Sequence, residues 1–468
     1  MTPEEFRTNG HKVIDWVADY LENIEQYPVK SQVKPGDISA TIADHPPEIG
    51  EPFEELLLDV QQKILPGITH WQHPNFHAYF NANNSHASIL AELITAAIGA
   101  QCMIWETSPA AAELEEKMMN WLKELTGLPA DWHGVIQDTA STGTLVSILT
   151  AREKATHFNV NNHGFSNEKL RVYCSAQTHS SIDKAIKISG IGLTNLVKIP
   201  VDQQLAMVPH LLEKAIQDDL SSGFIPCCIV TTLGTTSTTA MDPLDEISDI
   251  ALKYGIWHHV DAAYAGTAFI LPEYRHFIKG IEKADTYLFN PHKWMFTNFD
   301  CTAYYVKDKE ALIQTFEILP EYLKTGTRGK VNDYRDWGIQ LGRRFRALKL
   351  WFVIREYGAS GIRTSIKEHI ELAKWLEYKV IEHPDFEMVA DRTLSLVVFR
   401  YCKEIDDTKN DAINEAILAK INKSGKAYIT HTKVNNRYVL RVVTGQTNVK
   451  IQHIEKLWAM IQESSKSI

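Results

Sequence analysis

The chain has 468 residues, more than one ordinary core requires, so two or three packed units are expected. Its 44% hydrophobic and 23% charged residues are the balance of a globular protein, and a net charge of −10 argues against nucleic acid or an anionic membrane as partner. With no bilayer-length apolar run, an acidic start at Met1-Thr2-Pro3-Glu4-Glu5 and six cysteines lacking C-x-x-C spacing, the expectation is a cytoplasmic protein without a bound metal or a disulfide framework.

In chain order, Thr2-x-x-Glu5 with Pro3 between them is a capping box with proline at the first helical position. Val13, Trp16, Val17, Tyr20, Leu21 and Ile24 then trace one apolar stripe, which needs the body of the protein or a second copy to cover it. Pro46, Pro47 and Pro52 mark an extended linker. From about Ser85 to Phe345, β-type runs (Gly134–Gln137, Leu170–Cys174, Cys228–Thr232, Ile256–Val260, Thr286–Phe289) alternate with helical stretches, predicting an α/β fold with a mainly parallel sheet covered on both faces. Beyond it a smaller α+β region is predicted. It has strands near Phe386–Val389 and Leu394–Tyr401, a hairpin turning at Asn435-Asn436, and a final helix from about Val449. The division expected is an arm and linker over 1–84, a large domain over 85–350 and a small domain over 351–468.

Two segments carry the chemistry: Val260-Asp261-Ala262-Ala263-Tyr264-Ala265-Gly266 and Asn290-Pro291-His292-Lys293-Trp294. Each follows a short apolar strand, which would put Asp261 and Lys293 at carboxyl ends of strands, where open α/β sheets bind ligands. Either alone would pass for a capping aspartate or a surface lysine. Together they fit pyridoxal phosphate (PLP), whose aldehyde condenses with a lysine and whose ring nitrogen is kept protonated by a carboxylate. A phosphate anchor is then expected. The run Asp138-Thr139-Ala140-Ser141-Thr142-Gly143-Thr144, between a strand and a helix, would aim free amides at an anion, although such hydroxyl-rich turns also form as plain helix caps. His179, after another strand, could stack on the pyridine ring; a lone histidine there is more often a hydrogen-bonded structural residue.

Over nearly its whole length the chain resembles the group II PLP-dependent decarboxylases, specifically the aromatic L-amino acid decarboxylases. The motifs that carry the resemblance are His70-Trp71-x-x-Pro74, Trp105-x-x-Ser108-Pro109-Ala110, His179-Ser-Ser181, the Asp261 and Lys293 segments, and Leu341-Gly-Arg-Arg-Phe-Arg346. The resemblance implies the type I fold of PLP-dependent transferases, as in aspartate aminotransferase. It implies PLP on Lys293, with Asp261 at the ring nitrogen and His179 on the ring. Thr139, Ala140 and Ser141 would hold the phosphate, helped by Asn290 and His292, while Thr236 and Ala263 would touch the ring. Trp71, Tyr79 and Phe80 would form an aromatic pocket completed by Gln101 and Met103 of a second subunit in a homodimer; without the resemblance those aromatics would read as core packing. Tyr322, in Pro320-Glu-Tyr322-Leu-Lys324 before the glycine-rich run Thr325–Lys330, matches the tyrosine that protonates the α-carbon from a lid loop.

The chain also departs from that pattern. Asn81 and Ala82 stand where the family has proline and then a hydroxyl residue, Met103 replaces an aromatic, and Gly342 stands for serine, which argues against histidine as preferred substrate. Tyrosine, DOPA, phenylalanine, tryptophan and 5-hydroxytryptophan remain open. The alternative is an aromatic aldehyde synthase, in which the loop tyrosine is typically phenylalanine; Tyr322 favours decarboxylation alone. An aminotransferase is less consistent with the Lys293 and Asp261 segments. A Ser-His-Asp hydrolase finds no G-x-S-x-G elbow, and a non-catalytic relative would be expected to have lost Lys293 or Asp261.

Overall fold

A computed structural model describes residues 1–318 and 329–466. The described chain forms two compact units, a larger one of Ala82–Glu371 with Ala390–Leu396, and a smaller one of Met1–Asn81, Leu372–Val389 and Val397–Ile468.

In the larger unit, seven strands form one sheet: β1 (His133–Gln137), β2 (Leu170–Ser175), β3 (Leu196–Ile199), β4 (Ile225–Thr232), β5 (Trp257–Asp261), β6 (Thr286–Phe289) and β7 (Thr302–Val306). Their order is β1-β7-β6-β5-β4-β2-β3. All neighbours run parallel except β7, which is antiparallel to both β1 and β6. The near-continuous apolar character of β2, β4 and β6 follows from burial on both faces. Val172, Cys174, Val230 and Leu288 pack into one hydrophobic cluster with Val146 and Ile148 of the helix Ala140–Ala155. Tyr173, Ile199 and Ile229 face the opposite way, into a cluster with Ile216 and Ile247. Strands β3 and β7 complete the mainly parallel sheet expected from sequence.

The antiparallel course of β7 brings its first residue, Thr302, to the edge where β1 and β6 have their carboxyl ends, because Gln137 and Phe289 pair with Thr302 and Ala303.

The smaller unit begins with the helix Pro3–Glu22, capped as the sequence predicts: Thr2 Oγ1 accepts from Glu5 N–H at 3.2 Å, and Glu5 accepts from Thr2 N–H at 2.6 Å. Four strands, β8 (Phe386–Met388), β9 (Leu396–Tyr401), β10 (Thr430–Val434) and β11 (Arg437–Val443), form a sheet in the order β10-β11-β9-β8. The hairpin turn is Asn435-Asn436, both left-handed (φ 50° and 64°), a two-residue geometry that asparagine tolerates. Phe399, Leu440, Ile454, Leu457 and Trp458 build its core, closed by the helix Ile451–Lys466. Among the described residues no helix is long and apolar enough to cross a membrane, and no cluster of His, Cys, Asp or Glu could hold a metal ion.

Candidate active site

Lys293, Asp261, His179 and the turn Thr139–Ser141 all lie at or just beyond carboxyl ends of the larger unit's strands, where open α/β sheets bind ligands. Asp261 is the last residue of β5 and is buried. Its Oδ1 accepts the Ala263 N–H at 2.9 Å, and the Ala263 carbonyl accepts the Asn290 N–H at 3.0 Å. The chain after β5 is thereby tied to the chain after β6. Lys293 sits in the short helix Pro291–Trp294, its own N–H donating to the Asn290 carbonyl at 2.9 Å and its carbonyl accepting from Asn83 Nδ2 at 2.8 Å. Trp294 stacks on Tyr264 with ring centroids 4.7 Å apart and donates its indole N–H to His369 Nδ1 at 2.9 Å. The lysine is therefore anchored by backbone on one side and by a buried aromatic on the next residue. Close approach of the backbones explains Gly266, where a Cβ would fall 2.3 Å from the Phe289 Cβ.

The charges converge electrostatically. Burial lowers the pKa of the Lys293 ammonium, with Asp261 opposing that shift. Burial also lowers the pKa of the His179 imidazole; Asp261 favours its cation and Lys293 disfavours it. His179 Nδ1 accepts the Ser181 N–H at 3.1 Å, which leaves Nε2 to carry the proton of the neutral ring. The Ser181 hydroxyl lies 2.9 Å from the same Nδ1. His179 keeps part of its surface open to solvent, while its neighbours desolvate the rest of the ring.

The candidate anion site lies after β1. Thr139 caps the helix Ala140–Ala155, its Oγ1 accepting from Thr142 N–H at 3.3 Å. The amides of Ala140 and Ser141 are the first of the helix and have no intrahelical acceptor, and the dipole adds positive potential there. Asn290 stands next to this turn through a residue that sequence reasoning missed. Thr302 Oγ1 lies 2.8 Å from Asn290 Oδ1 and 3.1 Å from the Asp138 carbonyl, joining the ends of β6 and β1. No motif marks Thr302; only the antiparallel course of β7 places it. Asp138, the first residue of the expected anchor run, accepts from Thr139 N–H at 2.5 Å and from Gln340 Nε2 at 2.6 Å.

His292 is buried, with Nδ1 accepting the Cys301 N–H at 2.9 Å, and burial pulls its pKa down to about 3. It is a neutral ring, able to donate from Nε2 but not to supply a cation. Thr236 is exposed in the turn after β4. Gln101 Oε1 accepts the Arg343 N–H at 2.7 Å, the Met103 carbonyl accepts the Arg335 N–H at 2.9 Å, and a Cβ on Gly342 would meet Gln101 Nε2 at 3.3 Å.

Trp71, Tyr79 and Phe80 belong to the smaller unit. Trp71 and Tyr79 stack at 5.6 Å, the Tyr79 hydroxyl lies 3.0 Å from that of Tyr428, and Phe80 lies 5.7 Å beneath the Arg441 guanidinium. Tyr79 is left-handed (φ 53°) and 48% exposed, a presented rather than a packed aromatic. Asn81 turns inward, donating to the Phe76 carbonyl at 3.1 Å. Tyr322 lies outside the described residues.

The donor set fits PLP. It offers a lysine, a buried carboxylate with one oxygen already engaged, an accessible imidazole, and an unspent helix start. Comparison with known proteins agrees. Residues 35–402 match the family model of the pyridoxal-dependent decarboxylase conserved domain. The chain is 43% identical to a tyrosine decarboxylase of Narcissus pseudonarcissus, covering 99% of this chain and 95% of that protein. It is 43% identical to a phenylacetaldehyde synthase of Petunia hybrida, covering 99% and 94%. Among solved structures it is similar to Oryza sativa TDC with PLP and tryptamine, with a TM-score of 0.97 and 35% identity over 100% of this chain and 99% of the other.

Proposed function

We propose that this chain, which belongs to the pyridoxal-dependent decarboxylase family, converts an aromatic L-amino acid to its amine and CO₂. The observation that carries the reading is the convergence of Lys293, Asp261 and His179 at the strand ends beside a turn whose first helical amides have no intrahelical acceptor. Its aromatic substrate class rests on a relative named for tyrosine and on a similar structure solved with tryptamine.

When bound, PLP supplies the electron sink for the bond that loses CO₂. Lys293 would hold its aldehyde carbon. Asp261 would face the ring nitrogen, its Oδ1 steadied by Ala263 and its Oδ2 left for the nitrogen's proton. His179 would lie against the ring, with Thr236 and Ala263 touching it. Thr139, Ala140 and Ser141 would hold the phosphate, with Asn290, oriented by Thr302, and the Nε2–H of His292 beside them. Trp71, Tyr79 and Phe80 would meet the aromatic side chain, with Gln101 and Met103 contributed by the second subunit of a homodimer. Tyr322 would deliver the proton to the α-carbon after CO₂ departs. We place the protein in the cytoplasm, from its composition.

A second reading is aromatic aldehyde synthesis, favoured by the 43% identity to a phenylacetaldehyde synthase. Tyr322 weighs against it. Product analysis after incubation with tyrosine, DOPA, phenylalanine, tryptophan and 5-hydroxytryptophan tests both, scoring amine, aldehyde and peroxide together. Amine without peroxide is expected; aldehyde with stoichiometric peroxide would establish the second reading.

A further inference from the structure

Behind the site, a chain of buried polar side chains links β5 to the helix that starts at the phosphate turn. His259 lies two residues before Asp261 on β5, so both side chains leave the same face of the sheet. The helix Ala140–Ala155 packs against β4, β5 and β6. Fully buried, His259 places Nε2 3.2 Å from the Thr144 hydroxyl of that helix and Nδ1 2.9 Å from the Thr286 hydroxyl of β6. Thr286 Oγ1 is 2.7 Å from Ser147 Oγ, which accepts the Trp257 indole N–H at 3.0 Å.

The direction of every bond follows from one end. An indole nitrogen only donates, so Ser147 accepts from Trp257. The Tyr304 hydroxyl neighbours both Ser147 and Thr286 without meeting hydrogen-bond geometry to either, so the Ser147 proton is assigned to Thr286. Thr286 passes its own proton toward His259 Nδ1. A neutral imidazole so engaged carries its proton on Nε2, and Nε2–H donates to Thr144. Burial pulls the His259 pKa to about 3, so this polarity holds across the neutral range.

We propose that His259 is a positioning residue for the cofactor phosphate. By donating from Nε2 to Thr144, which lies one turn in from Ala140, it fixes the start of the helix Ala140–Ala155 against β5, and so sets the span between the Ala140 and Ser141 amides and the Asp261 carboxylate. A phosphate and a ring nitrogen on one rigid molecule require that span to be fixed before binding. The inference rests on the reading of Thr139–Ser141 as the phosphate turn.

The test titrates cofactor-free wild type, His259→Asn, His259→Gln and Thr144→Val with PLP and with pyridoxal, which lacks the phosphate. Asparagine can replace Nδ1 but cannot reach Thr144; glutamine places an N–H near the Nε2 position. His259→Asn and Thr144→Val should weaken PLP about tenfold, roughly one net hydrogen bond, with His259→Gln within about threefold and pyridoxal affinity within about twofold throughout. Wild-type PLP affinity in His259→Asn would overturn the proposal; should that variant not fold, Thr144→Val decides in the same way. Equal losses for PLP and pyridoxal, the mark of a merely structural role, would also overturn it. A glutamine variant as weak as the asparagine one would refute donation from Nε2. If wild type binds PLP no more tightly than pyridoxal, the phosphate-turn reading itself fails and the inference falls with it.

Discussion

Asp261 and Ala263 form a closed two-residue clamp: the carboxylate Oδ1 accepts the amide hydrogen of Ala263 at 2.9 Å. The clamp fixes the plane of the carboxylate before any ligand arrives, and directs Oδ2 away from the backbone it is already serving. Such preorganisation is what an electrostatic contact needs if it is to strengthen as charge develops. Asp261→Ala removes the contact and leaves the Ala263 amide without its acceptor. Decarboxylation should fall by about a hundredfold or more, and PLP should bind more weakly. Steady-state turnover with a saturating cofactor checks this. A near-normal rate would remove Asp261 from the ring nitrogen.

Lys293→Ala separates holding the cofactor from using it. On the proposed reading Lys293 would contribute the amine, whereas the phosphate contacts are assigned to other elements, the Ala140–Ala155 helix start and Asn290. The variant should lose the visible band that borohydride bleaches, and turnover with it, while retaining part of its PLP through the phosphate. Full turnover would refute the assignment.

Sequence made most of this legible, and the reasons are local. The strand ends at Asp261 and Lys293 are readable because buried parallel strands are continuous apolar runs, and the Thr2–Glu5 cap because its partners are three residues apart. The Asn435-Asn436 turn is readable because few residues tolerate two left-handed positions in succession. What sequence hides is set by pairing between distant segments. Thr302 reaches Asn290 because β7 runs antiparallel between β1 and β6, and His259 meets Thr144 across 115 positions of chain. Asn81 reads as an open polar replacement at the pocket, yet its amide is spent on the Phe76 carbonyl, five residues away.

Self-association is expected from surface that one chain leaves uncovered. The helix Pro3–Glu22 buries none of its residues despite its apolar stripe, and Phe6 is 67% exposed. In the larger unit, the helix His86–Ile98 exposes Leu90, Leu93, Ile94 and Ile98. Apolar faces of this kind mark interfaces. Sedimentation at low concentration should give twice the 53.1 kDa chain mass. An active monomer would rule out pocket residues shared between subunits.

Tyr322 should decide the fate of the α-carbon. Once CO₂ has left, that carbon must gain a proton, and a positioned phenol supplies it faster than water does. Tyr322→Phe should still release CO₂ but leave the carbon exposed to dioxygen, which takes two electrons to become hydrogen peroxide as water hydrolyses the product to aldehyde and ammonia. Aldehyde, ammonia and peroxide assays on one reaction check the balance. Clean amine at the wild-type rate would move the proton donor elsewhere, with His179 the next candidate.

Buried histidines should make the fold acid-labile well above the range of ordinary carboxylates. His258, His259 and His292 are held near a pKa of about 3 and His73 and His77 near about 4, all by burial, against 6.5 for an unburied imidazole. Well above pH 6.5 these rings are neutral folded or unfolded and contribute little to the pH dependence. Below it the unfolded chain takes up protons that the folded chain refuses, so stability falls as the pH falls. Asp242 and Asp285 act in the opposite sense. Burial raises each from 3.8 to about 6, so the folded state gains protons first as the pH drops from about 6 toward about 4. Five imidazoles outweigh two carboxyls, and near pH 5 unfolding should take up about three protons net. Denaturation midpoints of the cofactor-free protein, in which cofactor release cannot contribute, should therefore be clearly lower at about pH 5 than at about pH 7.5. Equal or higher midpoints at the lower pH would mean that these histidines are protonated in the folded chain, and that the His259 polarity toward Thr144 does not hold.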